Sequence, residues 1–94
     1  MIKLSAKLID ALTKAKLSGR QYKLILAIVK KTYGENKRVV NISLKQLEAI
    51  TGIDRGNISK VLKDLEAKSV ILTIDKIGGI YSYKLNTDYN TWIF

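Results

Sequence analysis

The stretch from Ser43 to Ile71, SLKQLEAITGIDRGNISKVLKDLEAKSVI, constrains this chain more than any other. It reads as a short helix, a glycine turn, a longer helix and the start of a strand. Ser43 precedes an apolar-periodic run, with Gln46 three residues later. The serine hydroxyl can then accept from one backbone amide while the glutamine reaches back to another. Leu44, Leu47 and Ile50 fall on one helical face. Gly52 follows where a helix end favours a left-handed residue. Asp54 is placed to cap the next helix, over 55–68, and its charge suits the positive end of the helix dipole.

In that second helix Ile58, Val61, Leu62 and Leu65 make a narrow buried stripe. The opposite side and its flanks carry Arg55, Gly56, Asn57, Ser59, Lys60, Lys63 and Asp64. These types bond base edges or phosphates, and Gly56 lets the backbone come close. A helix-turn-helix leads into a wing in this order, and its second helix lies in a DNA groove. The expected base-reading set is Arg55, Gly56, Asn57, Ser59, Lys60 and Lys63. The expected contacts to the DNA backbone are Lys30, Lys31, Lys37, Arg38, Ser43, Lys45 and Lys76. The bland alternative is any amphipathic helical hairpin with a solvated polar face.

Composition narrows the classes. Ninety-four residues make one small domain, 1–94, with no room for a second core. The chain has no Cys, so no disulfide, thiolate metal site or thiol nucleophile is expected. It has no His, the commonest metal ligand and general base. Asp10, Glu48, Asp64 and Glu66 are scattered, without a paired-carboxylate or phosphate-loop pattern. An enzyme, a cofactor, a metal and a small-molecule substrate are therefore not expected. The longest apolar run, Leu24 to Val29, is too short to span a bilayer, and Met1 to Leu17 shows no signal-peptide core. The expectation is a protein of the cytoplasm, the host's if viral, with no membrane partner.

The net charge is +9 and unevenly spread. Residues 1–38 hold ten basic residues against Asp10 and Glu35, a net +8; residues 39–94 hold seven against six acids, a net +1. A basic chain favours polyanionic partners, and phosphate contacts supply much of nucleic-acid affinity. The reading is a second helix that reads bases while neighbouring elements grip phosphates. Lysine-rich surfaces also serve solubility alone.

The remaining elements follow from pattern. Residues 2–16 read as a first helix with Leu4, Leu8, Leu12 and Ala15 on one face. Ser18 and Gln21 repeat the capping box before a helix apolar almost all round, which Gly34 ends. Val39 to Ile42 reads as a short strand. Val70 to Lys76 and Ile80 to Asn86 read as a hairpin around Gly78-Gly79. That register sets Leu72 opposite Leu85, Ile74 opposite Tyr83 and Lys76 opposite Tyr81, with Thr73, Asp75, Ser82 and Lys84 on the wet face. The hairpin tip either touches DNA or simply closes the core. Tyr89, Trp92 and Phe94 form an aromatic tail expected to pack on the first helix or across a dimer contact. The fold class is α+β, mainly helical: a winged helix-turn-helix with an extra N-terminal helix, α-α-β-α-α-β-β.

The segments LSGRQYKLILAIVKKTYG, NK, ISLKQLEAITGIDRGNISKVLKDLEAKSVI and YKLNTDYNTW resemble the N-terminal domain of the bacteriophage replication protein O family. The similarity runs from about Leu8 to Trp92. It rests on the LSG opening, KTYG closing the second helix, the TGI turn and the LN-DY-W ending. The resemblance implies a winged-helix domain that binds repeated sites at a phage replication origin, as a homodimer on near-palindromic repeats. It implies that Gly56, Asn57, Ser59, Lys60 and Lys63 face the major groove. Two departures stand out. Glu35 follows KTYG where the family has an aromatic. The helicase-recruiting region of the longer proteins has no counterpart here, so the chain is either one domain of a longer protein or a stand-alone DNA binder. Replication proteins are partners only in the first case. The competing functions are a small transcriptional regulator of a phage, plasmid or archaeal virus on the same fold, and a protein-interaction module.

Overall fold

The computed structural model describes residues 4–77 and 80–94. Helices α1 (Ala6–Lys14) and α2 (Gly19–Thr32) lead through a 3₁₀ turn, Tyr33–Glu35, into strand β1 (Val40–Ser43). Helices α3 (Leu44–Thr51) and α4 (Arg55–Ala67) follow, then β2 (Ile71–Ile77), β3 (Ile80–Leu85) and a last 3₁₀ turn, Tyr89–Thr91. The fold is α+β with one antiparallel sheet in the order β1-β3-β2. The element order is the one the sequence suggests.

The boundaries follow local chemistry. Ser18 and Ser43 each cap a helix, with Gln21 and Gln46 closing both capping boxes. Gly52 takes φ 73° at the end of α3, and Asp54 caps α4. Several ends differ from expectation. Residues 1–3 lie outside the description; Ser5 is extended and caps α1, which closes at Lys14 rather than residue 16. Helix α2 does not end on Gly34. It tightens into the 3₁₀ turn, and Asn36 takes the left-handed conformation with φ 56°. Strand β1 starts one residue later than read, because Val39 is outside the ladder.

The core gathers Leu24, Ile25 and Ile28 of α2, Leu47 of α3 and Ile58, Leu62 and Leu65 of α4 over the sheet residues Ile42, Ile71, Tyr83 and Leu85. Two of the core positions expected on the helices are not there. Ile50 sits at the rim and Thr51 takes the buried place, its hydroxyl donating to the Leu47 carbonyl at 2.7 Å. Leu26 is 66% exposed, so α2 is not apolar-buried all round. The Tyr22 hydroxyl donates to the carbonyls of Leu12 and Ala15, fastening α1 to α2.

The hairpin register is corrected in its inner half. Ile71 pairs Leu85, Leu72 pairs Lys84 and Thr73 pairs Tyr83; the ladder then passes to Asp75–Ser82 and Lys76–Tyr81. Ile74 is the extra residue of a β-bulge, which shifts every pair on its inner side by one. Lys76 opposite Tyr81 is as read, but Ile74 stands 55% exposed instead of facing the core. Thr73 comes opposite Tyr83 at the edge of the hairpin cleft and stays exposed, as expected of it. The Gly78-Gly79 turn lies outside the described residues.

Asn86 locks the end of the chain. Its amide nitrogen donates to the Ser69 carbonyl at 2.6 Å and to Thr91 at 2.7 Å, and its side-chain oxygen accepts from the Asp88 amide. The Trp92 indole donates to the Asn86 carbonyl at 2.9 Å, and the Ile93 amide to the Lys68 carbonyl at 2.8 Å. The aromatic tail is therefore bonded to the corner between α4 and β2 rather than to the first helix. Tyr89 and Trp92 pack on the core, while Phe94 stays exposed.

Candidate nucleic-acid interface

Helix α4 is held from three sides, which leaves one face free. The Gln21 side chain, buried at the start of α2, donates to the Asp64 carboxylate, and Lys68 reaches the same group at 3.2 Å. Asp64 is thus engaged by two neighbours, although its side chain stays 52% exposed. At the other end, Glu48 of α3 accepts from the Arg55 amide at 3.1 Å and lies 3.7 Å from its guanidinium. The third side meets the hairpin across a cleft lined by Ser59, Lys63, Glu66, Tyr81 and Tyr83.

Gly56, Lys60 and Lys63 are exposed, spaced four and three residues apart, with Lys60 bordering a recess against α2, Lys63 bordering the hairpin cleft, and Ser59 half-buried on the hairpin side. Asn57 is half-buried, its amide donating to the Asp54 carboxylate. That bond also completes the cap, because Asp54 accepts from the Asn57 backbone at 3.4 Å. Asn57 is thus engaged locally. Gly56 is conformationally ordinary: an added Cβ would meet an Asp54 carboxylate oxygen at 3.4 Å, an ordinary contact. No fold requirement at this position demands glycine.

The residues expected on phosphates divide. Ser43 pairs Ile80, so it and Lys45 lie at the hairpin-tip end of β1. Lys76 pairs Tyr81 in the ladder, and its side chain lies outside the described residues. Lys31 and Lys37 are elsewhere: both approach Glu35, at 3.4 and 3.9 Å, around a groove between α2, β1 and the Gln46–Ala49–Ile50 flank of α3. Lys30 borders the adjoining groove, and exposed Arg38 lies in the segment leading into β1, away from the tip. Successive helical residues turn by ~100°, so Gln46 and Ile50 each sit ~160° around α3 from Glu48, which meets α4. The structure does not bring this basic cluster alongside the free face of α4.

Arg20 was not singled out from the sequence. It lies beside Lys60 around a recess at the start of α2, with Gly19 and Gln21. The signal was available only in part, since a capped helix start followed by Arg says nothing about which helix lies next to it. Burial pushes the Tyr83 phenol well above its usual value, with Tyr81 and then Glu66 adding to it. Tyr83 is therefore neutral wherever the protein is folded near neutrality, and it forms an uncharged wall of the cleft. Among the described residues no cluster of acids suits a metal ion, and no helix is long and apolar enough to cross a membrane.

The sequence model of one family, described as Bacteriophage replication protein O, matches residues 1–92. Replication protein O of Escherichia phage lambda is 36% identical over 84 residues, which cover 89% of this chain and 24% of that protein. Replication protein 15 of Enterobacteria phage phi80 is 31% identical over 78 residues, 83% of this chain and 26% of that protein. The chain thus spans about a quarter of the length of the curated relatives it matches. No solved structure gives a significant match.

Proposed function

The chain belongs to the bacteriophage replication protein O family, and we propose that it is a winged-helix domain that binds double-stranded DNA sequence-specifically to recognise a replication origin. The observation that carries this reading is the free face of α4. A helix anchored on three sides, with Gly56, Lys60 and Lys63 outward, suits the major groove, where lysine reaches guanine acceptors. Ser43, Lys45 and the β2–β3 hairpin lie on the side that would straddle the backbone, and Arg20 beside Lys60 supplies a further phosphate contact. Arg55 is partly neutralised by Glu48 and serves the backbone better than a base. Replication is favoured over transcription by the family alone. Homodimeric binding to paired half-sites about one turn apart, ~34 Å, is part of the same proposal.

Selection of bound duplexes from a random pool, with wild type and with Lys60→Ala and Asn57→Ala, tests it. The expected outcome is one enriched motif found repeated at a phage origin. Lys60→Ala should relax one or two positions by ~1–3 kcal/mol, and Asn57→Ala should act less on preference than on stability. An unenriched pool, or a Lys60→Ala pool identical to wild type, overturns the docking through α4.

A further inference from the structure

The basic cluster that lies off the α4 face has an apolar floor. Leu26 projects from the middle of α2 and is 66% exposed; Ile50, on the flank of α3, is 39% exposed; Val39, just before β1, is 36% exposed. Ile50 is common to two adjoining grooves, one shared with Leu26 and the other with Val39, so it stands between the exposed apolar side chains of α2 and of the entry to β1. Lys23, Lys30, Lys31 and Lys37 border these grooves, against Glu35 as the acid among the residues lining them, a net +3. The Val39 groove is an open recess of about 460 Å³, comparable in volume with pockets that take a small ligand.

We infer that this surface is a docking site for an acidic amphipathic helix, whose apolar side chains cover Leu26, Ile50 and Val39 while its carboxylates meet the lysine rim. Charge selects the occupant. A second copy would bring a like-charged rim against this one, and like charges facing each other are costly. A DNA backbone matches the lysines but offers no apolar surface to cover exposed Leu26 and Ile50. An acidic helix satisfies both, in the manner of helices laid into a hydrophobic groove. The site sits on the flank of α3 away from Glu48 and α4, so both surfaces can be occupied together. The inference does not rest on the DNA-binding reading, and its test reads the two separately.

The probe is a synthetic helical peptide with leucines at i, i+3, i+4 and i+7 and glutamates elsewhere. Its control carries lysine for every glutamate. Titrated into the isotope-labelled chain, the acidic peptide should shift the amides of Lys23, Leu26, Lys30 and Ile50 and leave α4 unmoved. Leu26→Gln should weaken peptide binding at least tenfold with unchanged DNA retention. Lys30→Gln with Lys31→Gln should do the same, which separates the groove from a phosphate grip. The inference is overturned if the acidic peptide does not bind, if the lysine control binds equally, or if the shifts fall on α4. It is equally overturned if the lysine variants lose DNA binding in step with peptide binding.

Discussion

At the scale of single residues, Tyr83 and Gly56 make opposite demands. Tyr83 is buried against the core, and burial, then Tyr81 and Glu66, raises its pKa above the ordinary tyrosine value near ~10. A phenol with a raised folded-state pKa is neutral in both states below that value and adds no pH dependence there. As pH climbs past ~10 the unfolded chain loses the proton first, so stability falls until the folded-state pKa is passed. Tyr83→Phe should remove this part of the alkaline loss. Chemical denaturation of both proteins from pH 8 to 11 should show the variant gaining relative to wild type only above ~10. Gly56 lacks any such internal role. With one carboxylate oxygen 3.4 Å from the added methyl, Gly56→Ala should raise stability by up to ~1 kcal/mol. If the α4 backbone comes close to DNA there, the same methyl should weaken specific binding. A variant that melts higher and binds as tightly as wild type would mean that DNA does not approach this turn.

At the scale of elements, the two helix starts at Ser18 and Ser43 and the turn at Gly52 were legible because capping boxes and left-handed glycines are local chemistry. The hairpin register was not. A two-residue turn fixes the pairing next to it, but nothing in ILTIDKI announces that Ile74 is an extra residue, since isoleucine suits a core face equally well. The prediction that follows separates the two registers. Ile74→Lys should change stability by no more than ~0.5 kcal/mol, as exposed substitutions do, whereas Ile71→Lys buries a charge and should cost more than ~4 kcal/mol. Urea unfolding of the two variants checks it, and a large cost at Ile74 would return that side chain to the core. The LN-DY-W ending was likewise visible only as a resemblance. Its meaning, an asparagine that ties Ser69, Asp88, Thr91 and Trp92 together, depends on a corner 17 residues back in the chain at Ser69. At the candidate interface, periodicity alone set Gly56, Lys60 and Lys63 on the exposed side of α4, as the structure has them. Helical spacing could not show that Asp64 and Asn57 also bond Gln21 and the Asp54 cap.

At the scale of the whole molecule the question is where a net charge of +9 acts. Summed along the chain, +8 of it belongs to residues 1–38, where the sequence points to Lys30, Lys31, Lys37 and Arg38 as phosphate contacts, with solubility as the alternative. Folding divides it. Arg20 is carried to Lys60 at one end of α2, while Lys31 and Lys37 are carried to Glu35 at the other, beyond α3. Each cation that neutralises a phosphate releases a counterion, so each contributes ~0.9 to the slope of log affinity against log salt. Neutralising Arg20, Lys60 and Lys63 together should therefore flatten that slope by about 2 to 3, with non-specific duplexes affected as much as specific ones for the phosphate contacts. Neutralising Lys30, Lys31 and Lys37 removes the same formal charge and should leave the slope within about half a unit of wild type. Long-range attraction does not blur the comparison at physiological ionic strength, where exposed charges more than ~8 Å apart are largely screened. Fluorescence titrations across a series of salt concentrations decide it. Equal flattening by both sets would mean that DNA wraps onto α2 as well as α4, and that the basic half of the chain is one continuous phosphate surface.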